Sequence, residues 1–197
     1  MDSIPTVFIT GQVPASLVGK DAFQEVDITG ITLPITKHNY LITQASQIAE
    51  TVRQAFYIAR SGRPGPVLID FCKNAMLEEA EFIYPEKVSL PGYRPRIQAT
   101  EESLEKASQL IAEAQRPVIL AGHGVLMAGA MDELHQFAEK IQAPVAMTLL
   151  GIGSFPASHP YSLGMMGMHG EAYCNLAIQN ADLIIAMGMR FDDRVTG

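Results

Sequence analysis

Apolar positions along the chain switch repeatedly between short runs and helical stripes. Thr6 to Thr10 (TVFIT) is a β-branched run stopped by Gly11, which predicts a buried strand. A polar stretch punctuated by Pro14 and Gly19 follows. From Ser46 to Arg60 the period lengthens, with Ile48, Val52, Ala55, Phe56 and Ala59 on one helical face. Ser61-Gly62 ends that helix, and Pro64 and Pro66 prevent its resumption. Val67 to Phe71 (VLIDF) predicts a second buried strand. Asn74 to Ala99 then shows no steady period and reads as a linker, partly extended.

Thr100 has the character of an N-cap, with Glu101 and Glu102 favouring the positive start of a helix. Leu104, Ala107, Leu110, Ile111 and Ala114 form its stripe, and Arg116-Pro117 stops it. A strand is predicted over Pro117 to Ala121, a tight turn at Gly122-His123-Gly124, and a helix over Met127 to Ile141 with Met131, Leu134, Phe137 and Ile141 inward. Pro144 to Thr148 predicts a strand, Leu149 to His169 a long loop, Glu171 to Gln179 a helix and Asp182 to Met187 the unit's third strand. Strands alternating with helices imply parallel sheets. The predicted fold class is therefore α/β, with two parallel-sheet units spanning residues 1–75 and 100–197, joined by a linker at 76–99. The first unit opens on a strand and the second stops after one, so both ends read as interrupted.

Composition narrows the function classes. Hydrophobic residues at 48% make disorder untenable. A net charge of −7 without a Lys/Arg run argues against nucleic acid as a partner, since phosphate binding needs clustered cations. No apolar run reaches the ~18 residues of a membrane span, and no signal peptide is visible. Cys72 and Cys174 lie far apart, with no CxxC pair, and fit buried thiols in a reducing, cytoplasmic compartment.

In an open parallel sheet, ligands gather at the carboxyl ends of the strands. Those ends are Gly11-Gln12, Cys72-Lys73, Gly122-His123-Gly124, Thr148-Leu149 and Gly188-Met189-Arg190. Glycines there can let backbone N–H groups approach a phosphate, and Arg190 adds a forked donor. The dinucleotide fingerprint is nevertheless absent, because Met127 stands where its third glycine belongs, so a nucleotide site and a plain βα turn remain equally open. His38, His123, His135, His159 and His169 show no metal-ligand spacing, so no metal site is predicted, and His135 reads as a surface residue of a helix. Asp192-Asp193-Arg194 reads first as a surface ion pair.

Four stretches carry a family resemblance: ITGQVPASLVGKDAFQEVDITGI (residues 9–31), PITKHNYL (34–41), SGRPGPVLID (61–70), and SLGMMGMHG with GMRFDDRVTG (162–170 and 188–197). Together they resemble the catalytic subunits of acetolactate (acetohydroxyacid) synthases, enzymes dependent on thiamine diphosphate. SGRPGPV alone is common to many thiamine-diphosphate enzymes, whereas KHNYL and RFDDRVTG are more particular. The resemblance implies three α/β domains in the whole subunit. Residues 1–75 would be the second half of the pyrimidine-binding domain, and 100–197 the first part of a Rossmann-like central domain. It further implies that the glutamate activating thiamine diphosphate, and the GDG motif holding Mg²⁺ and diphosphate, lie outside this chain, which alone would be inactive. The implied reaction condenses two pyruvates, or pyruvate and 2-ketobutyrate, with loss of CO₂ in branched-chain amino-acid synthesis.

By the same resemblance Phe23 and Gln24 belong near the active centre across a dimer interface. Pro14, Lys73 and Arg194 line the substrate channel. Arg63, Gly122, His123, Gly124, Thr148, Leu149, Met168, His169, Gly188, Arg190 and Asp192 surround a structural FAD. Implied partners are 2-ketoacids, further copies of the subunit in a dimer or tetramer, and a small regulatory subunit. Plant or algal members would be plastid proteins. Three departures stand out: His123 replaces a glycine, Cys72-Lys73-Asn74 replaces Pro-Lys-Asp, and Ala15-Ser16 stands where some members carry arginines. The alternatives are a related carboligase or pyruvate oxidase, and a self-sufficient FAD- or nucleotide-binding module.

Overall fold

A computed structural model describes residues 2–95 and 98–196; Met1, the linker residues Arg96 and Ile97, and Gly197 of the last motif lie outside the described residues. The chain forms two compact units, Met1–Gln98 and Ala99–Gly197. Both are α/β with parallel sheets, as predicted.

The first unit has β1 (Val7–Gln12), β2 (His38–Ile42) and β3 (Val67–Cys72) in the order β1-β3-β2. Central β3 is covered on both faces, which is why it reads as a nearly unbroken apolar run. Ala55, Ile58 and Ala59 of α2 (Ile48–Arg60) pack on Ile42, Val67 and Ile69. Truncating Ile69, which is fully buried, would cost about 2–5 kcal/mol. β2 escaped the sequence reading because HNYLI is a half-exposed edge strand whose polar His38 and Asn39 break any apolar run. α1 (Ile28–Thr32), capped by Asp27 accepting from Gly30 N at 2.9 Å, was likewise not predicted. α2 is preceded by a 3-10 turn, Ala45–Gln47, begun by a reciprocal Gln44–Gln47 capping box.

The family motifs have local structural work. Lys37 Nζ donates to Ile58 O at 2.5 Å and Ser61 O at 2.7 Å, placing a cation on the carbonyl end of α2. Asn39 Nδ2 donates to Thr29 O at 2.7 Å, closing α1 on β2. Residues after β3 depart from the linker reading at first: Lys73–Leu77 is a helical turn, α3. Residues 78–95 hold no helix or strand. They are anchored to the first unit, where Leu90 and Tyr93 pack on the core and Tyr93 Oη lies 2.9 Å from Ser61 Oγ.

The second unit holds α4 (Glu101–Glu113), β4 (Pro117–Ala121), α5 (His123–Ala128), α6 (Met131–Ile141), β5 (Val145–Met147), β6 (Ser162–Met165), α7 (Ala172–Gln179), β7 (Leu183–Met187) and α8 (Asp193–Thr196). The sheet order is β6-β5-β4-β7. Thr100 caps α4 as predicted, its Oγ1 accepting from Ser103 N at 3.2 Å. Three readings are corrected. Gly122-His123-Gly124 is not a free-standing turn: Gly122 caps α5, which His123 begins. The helix foreseen over Met127 to Ile141 is two helices, because Gly129 adopts φ +66° and closes α5 before α6 starts. The loop foreseen over Leu149 to His169 contains a 3-10 turn, Leu149–Gly151, and the edge strand β6, so β7 is the fourth strand and not the third.

Candidate functional site at the carboxyl edges

In the first unit, register pairs Gln12 with Cys72, so Pro14 and Lys73 leave the same edge of adjacent strands. Asn74 joins the two exits, accepting from Ala15 N at 2.8 Å and donating to Thr43 O at 2.8 Å and Glu78 Oε1 at 2.7 Å. Below them sits Asp70, the fully buried carboxylate of β3. It accepts from Thr10 Oγ1 at 2.7 Å and Gln12 Nε2 at 3.1 Å, which satisfies a polar group that would otherwise be costly inside. Gln12 Nε2 also donates to Val26 O at 2.6 Å, tying down the far end of the loop that leaves β1.

That loop carries Phe23, 88% exposed, and Gln24, whose φ of +62° lies in the left-handed region. A non-glycine residue held there stores about 1–2 kcal/mol of strain and needs surrounding bonds to hold it. Glu25 supplies them: its carboxylate accepts from Gly19 N and, at 2.9 Å, from Ala22 N. These backbone donors, Ala22 first, hold the Glu25 carboxyl below its ordinary range. Pro14, Phe23, Gln24 and Lys73 therefore belong to the loops of one sheet edge. Arg63 does not: it precedes β3 at the opposite edge, its Nε donating to Ser3 Oγ at 2.9 Å.

In the second unit the sequence-predicted positions follow all four strands: 122–124 after β4, Thr148 and Leu149 after β5, Met168 and His169 after β6, and 188–194 after β7. The order places β5 and β6 on one side of β4 and β7 on the other, so β4 and β7 flank a topological switch point. The glycines there serve close approach. A Cβ on Gly122 would lie 2.5 Å from Gly188 O, and one on Gly124 would lie 2.6 Å from Gly188 Cα. Gly188 itself has φ +59°. Gly122 N donates to Met187 O at 2.9 Å, Gly124 N to Gly188 O at 2.8 Å and Thr148 N to Ala121 O at 3.0 Å. These donors are already committed within the protein. The turn after β4 is locked on the end of β7, so the Gly122 and Gly124 amides are taken up within the protein.

What remains available at this edge is mostly side chain: exposed Leu149, Met168, His169 and Arg190. Arg190 Nη2 lies 2.6 Å from Asp192 Oδ2, and His123 Nδ1 lies 3.0 Å from Leu150 O. Arg194 pairs with Asp193 at 3.8 Å, both exposed, so this contact contributes roughly 0–1 kcal/mol. It also reaches Met168, with Nη1 at 3.3 Å from Sδ and its carbonyl accepting from Met168 N at 2.8 Å. Asn175 pins the same loop by bonding Gly167 N and O at 2.9 and 2.8 Å. Asp70, Glu25 and Asn175 were not singled out from sequence, and Gln12 was named only as a strand end; Asp70 interrupting an apolar strand was the one visible signal.

Residues 104–197 match the family of the thiamine pyrophosphate enzyme central domain. The chain is 50% identical over 197 residues to the acetolactate synthase large subunit of Corynebacterium glutamicum, covering 100% of the chain and 32% of that protein. It is 47% identical over 199 residues to acetolactate synthase 1, chloroplastic, of Zea mays, covering 100% of the chain and 31% of that protein. An X-ray structure from Mycobacterium smegmatis, described as a thiamin diphosphate-dependent enzyme, matches with TM-score 0.79 at 26% identity, over 100% of the chain and 37% of that one. Residues 104–197 thus match the central domain of the thiamine pyrophosphate enzyme family, and the whole chain is similar to acetolactate synthases. It spans about a third of the length of these curated relatives. Within the family, the likeness favours the acetolactate synthase reading over the pyruvate oxidase and stand-alone module alternatives.

The two thiols behave as core. Cys72 and Cys174 are buried and free, and burial raises both thiols, Cys174 to about 11, with Glu171 adding to the effect. Such thiols hold almost no thiolate near neutrality. No helix among the described residues is long and apolar enough to cross a membrane.

Proposed function

We propose that this chain is part of an acetolactate synthase catalytic subunit, which joins two pyruvates, or pyruvate and 2-ketobutyrate, with release of CO₂. The observation that carries the reading is the 50% identity over 197 residues, which covers the whole chain. Thiamine diphosphate, when bound with Mg²⁺, supplies the electron sink for the carbanion left by decarboxylation. The described residues offer no acidic set for that Mg²⁺ at either carboxyl edge, so no step is assigned to the metal. The chain's own part is positioning. Phe23 and Gln24, presented on a strained turn, would face the reacting centre of a neighbouring subunit in a dimer or tetramer. Pro14 and Lys73 at the first unit's edge, and Arg194 at the second's, would each serve substrate entry, the two cations receiving 2-ketoacid carboxylates.

FAD would lie along the second unit's edge against Leu149, Met168, His169 and Arg190. The backbone positions Gly122, Gly124 and Gly188 would shape the wall, with the Gly122 and Gly124 donors committed within the protein. His123, Thr148 and Asp192 complete the proposed set in this unit, and Arg63 keeps a flavin role only as the family resemblance implies it. Residues 1–75 and 100–197 would be parts of the pyrimidine-binding and central domains, and a small regulatory subunit a further partner. The setting would be cytoplasmic, or the plastid in a plant or alga.

The test is a graft: this chain replaces the matching third of the Corynebacterium glutamicum large subunit. The reading expects acetolactate from pyruvate, thiamine diphosphate and Mg²⁺ in the graft and none from the chain alone. A folded graft without turnover, or turnover by the chain alone, contradicts it.

A further inference from the structure

Away from both edges, three side chains converge, the two imidazoles meeting edge-on at 5.0 Å. His135 and Glu139 stand one turn apart on α6, and His159 comes from the loop between Leu149–Gly151 and β6. Their ligand atoms all lie within 4.8 Å of one another. Glu139 Oε1 is 3.8 Å from His135 Nε2 and 3.6 Å from His159 Nε2. These separations are too long for good hydrogen bonds. They approach the roughly 3.3 Å between neighbouring ligand atoms of a tetrahedral zinc ion, given its bond lengths of about 2.0–2.1 Å.

The arrangement is held from behind. Buried Phe155 meets His159 edge-on at 5.0 Å and His135 at 5.7 Å, and Tyr161 flanks His159 at 5.3 Å. The backbone at His159 is fixed on both sides, donating to Pro156 O at 3.1 Å and accepting from Ser162 N at 2.9 Å. The side chain of His159 is 18% exposed, against 38% for His135 and 55% for Glu139, so the cluster is ordered below and open to water above. Sequence spacing could not reveal it, because the second imidazole arrives from another element.

We propose that His135, Glu139 and His159 form a binding site for a zinc-class divalent transition-metal ion. Two imidazoles and one carboxylate suit a borderline cation, with water completing the shell. Ligation carries one cost. His159 Nδ1 accepts from Tyr161 N at 3.1 Å, and coordination through Nε2 moves the ring proton to Nδ1, so that bond is given up. Affinity is thereby lowered, and binding weakens as protons compete for the imidazoles at low pH.

The experiment titrates the whole chain with zinc alone, and with cobalt(II) as a spectroscopic probe, followed by backbone NMR. One equivalent should bind, with visible cobalt bands of low coordination number and a shifted Tyr161 amide. His159→Gln and Glu139→Gln should each weaken binding at least about tenfold, while His169→Gln should leave it unchanged. The wild-type amide shifts decide the matter even if a variant misfolds. Absence of binding at millimolar zinc, binding unaltered in a folded His159→Gln, or shifts centred on His38, His123 or His169 would overturn the proposal.

Discussion

In the first unit the loops beyond β1 and β3 are held by side chains: Asp70 on Thr10 and Gln12, Gln12 on Val26, Glu25 on Gly19 and Ala22. In the second unit the loops beyond β4, β5 and β7 are held by backbone pressed on backbone at Gly122, Gly124, Gly151 and Gly188. Both arrangements fix a strand-end surface, but they fail differently. A side-chain clamp loosens by degrees and answers to pH. A glycine lock admits no added atom, because what an extra Cβ meets is main chain that cannot turn aside.

Gly124→Ala should therefore have the largest effect. Its new Cβ would lie 2.6 Å from Gly188 Cα, and about 3 kcal/mol or more of stability should disappear in urea unfolding. Gly11→Ala, at the other edge and with nothing within 4 Å, should stay within about 0.5 kcal/mol. Equal losses at the two positions would dissolve the comparison.

Asp70→Ala should cost about 1–3 kcal/mol, since it strips the buried partner from Thr10 and Gln12. Faster proteolysis within residues 13–26 should accompany it. Asp70→Asn, keeping one acceptor, should lose less. A loss that leaves the loop's protease resistance untouched would detach Asp70 from the clamp.

Gln24→Gly tests stored strain. Glycine accepts φ +62° freely, so stability should hold or rise by up to about 1 kcal/mol, against the usual direction of glycine substitutions. A marked fall in melting temperature would show that the Gln24 side chain anchors the turn.

The smallest effect concerns pH. Glu25 is held below its ordinary range in the folded state by the Ala22 and Gly19 donors. Its contribution is present above the unfolded pKa of about 4.3 and disappears as pH falls through the lower folded value. Amide exchange at Gly19 and Ala22 should accelerate across that acidic window, after allowance for intrinsic rates, and Glu25→Gln should flatten the change. Asp182 follows the same sign at the second unit, where Gln115 and Arg116 donate to it at 2.8 Å each. Exchange at Gly19 that rises equally in Glu25→Gln would remove the carboxylate from the account.

Legibility followed the hydrophobic pattern. β3 and β4 were readable because both are central strands with continuous apolar runs. β2 and β6 are half-exposed edge strands, and period-two reading has little to grip in HNYLI or SLGM. The split between α5 and α6 turns on Gly129, whose left-handed φ a composition-level reading passes over. Glycines after β4 and β7 were noticed correctly as places of close approach, and Gly122 and Gly124 are closely approached by the Gly188 backbone. The stripe of α4 was also read correctly, yet Leu104 remains 59% exposed; a stripe says that a face is apolar, not that anything within the unit covers it.

In the proposed division of work, the first unit's clamped turn would serve the reaction and the second unit's locked edge would contact flavin. The direct measurement is turnover together with FAD content per subunit in the graft carrying Gln24→Ala or Arg190→Ala. The account predicts that Gln24→Ala lowers kcat while flavin stays bound, and that Arg190→Ala loses flavin first. Flavin loss caused by Gln24→Ala, or flavin retained at full occupancy in Arg190→Ala, would contradict it.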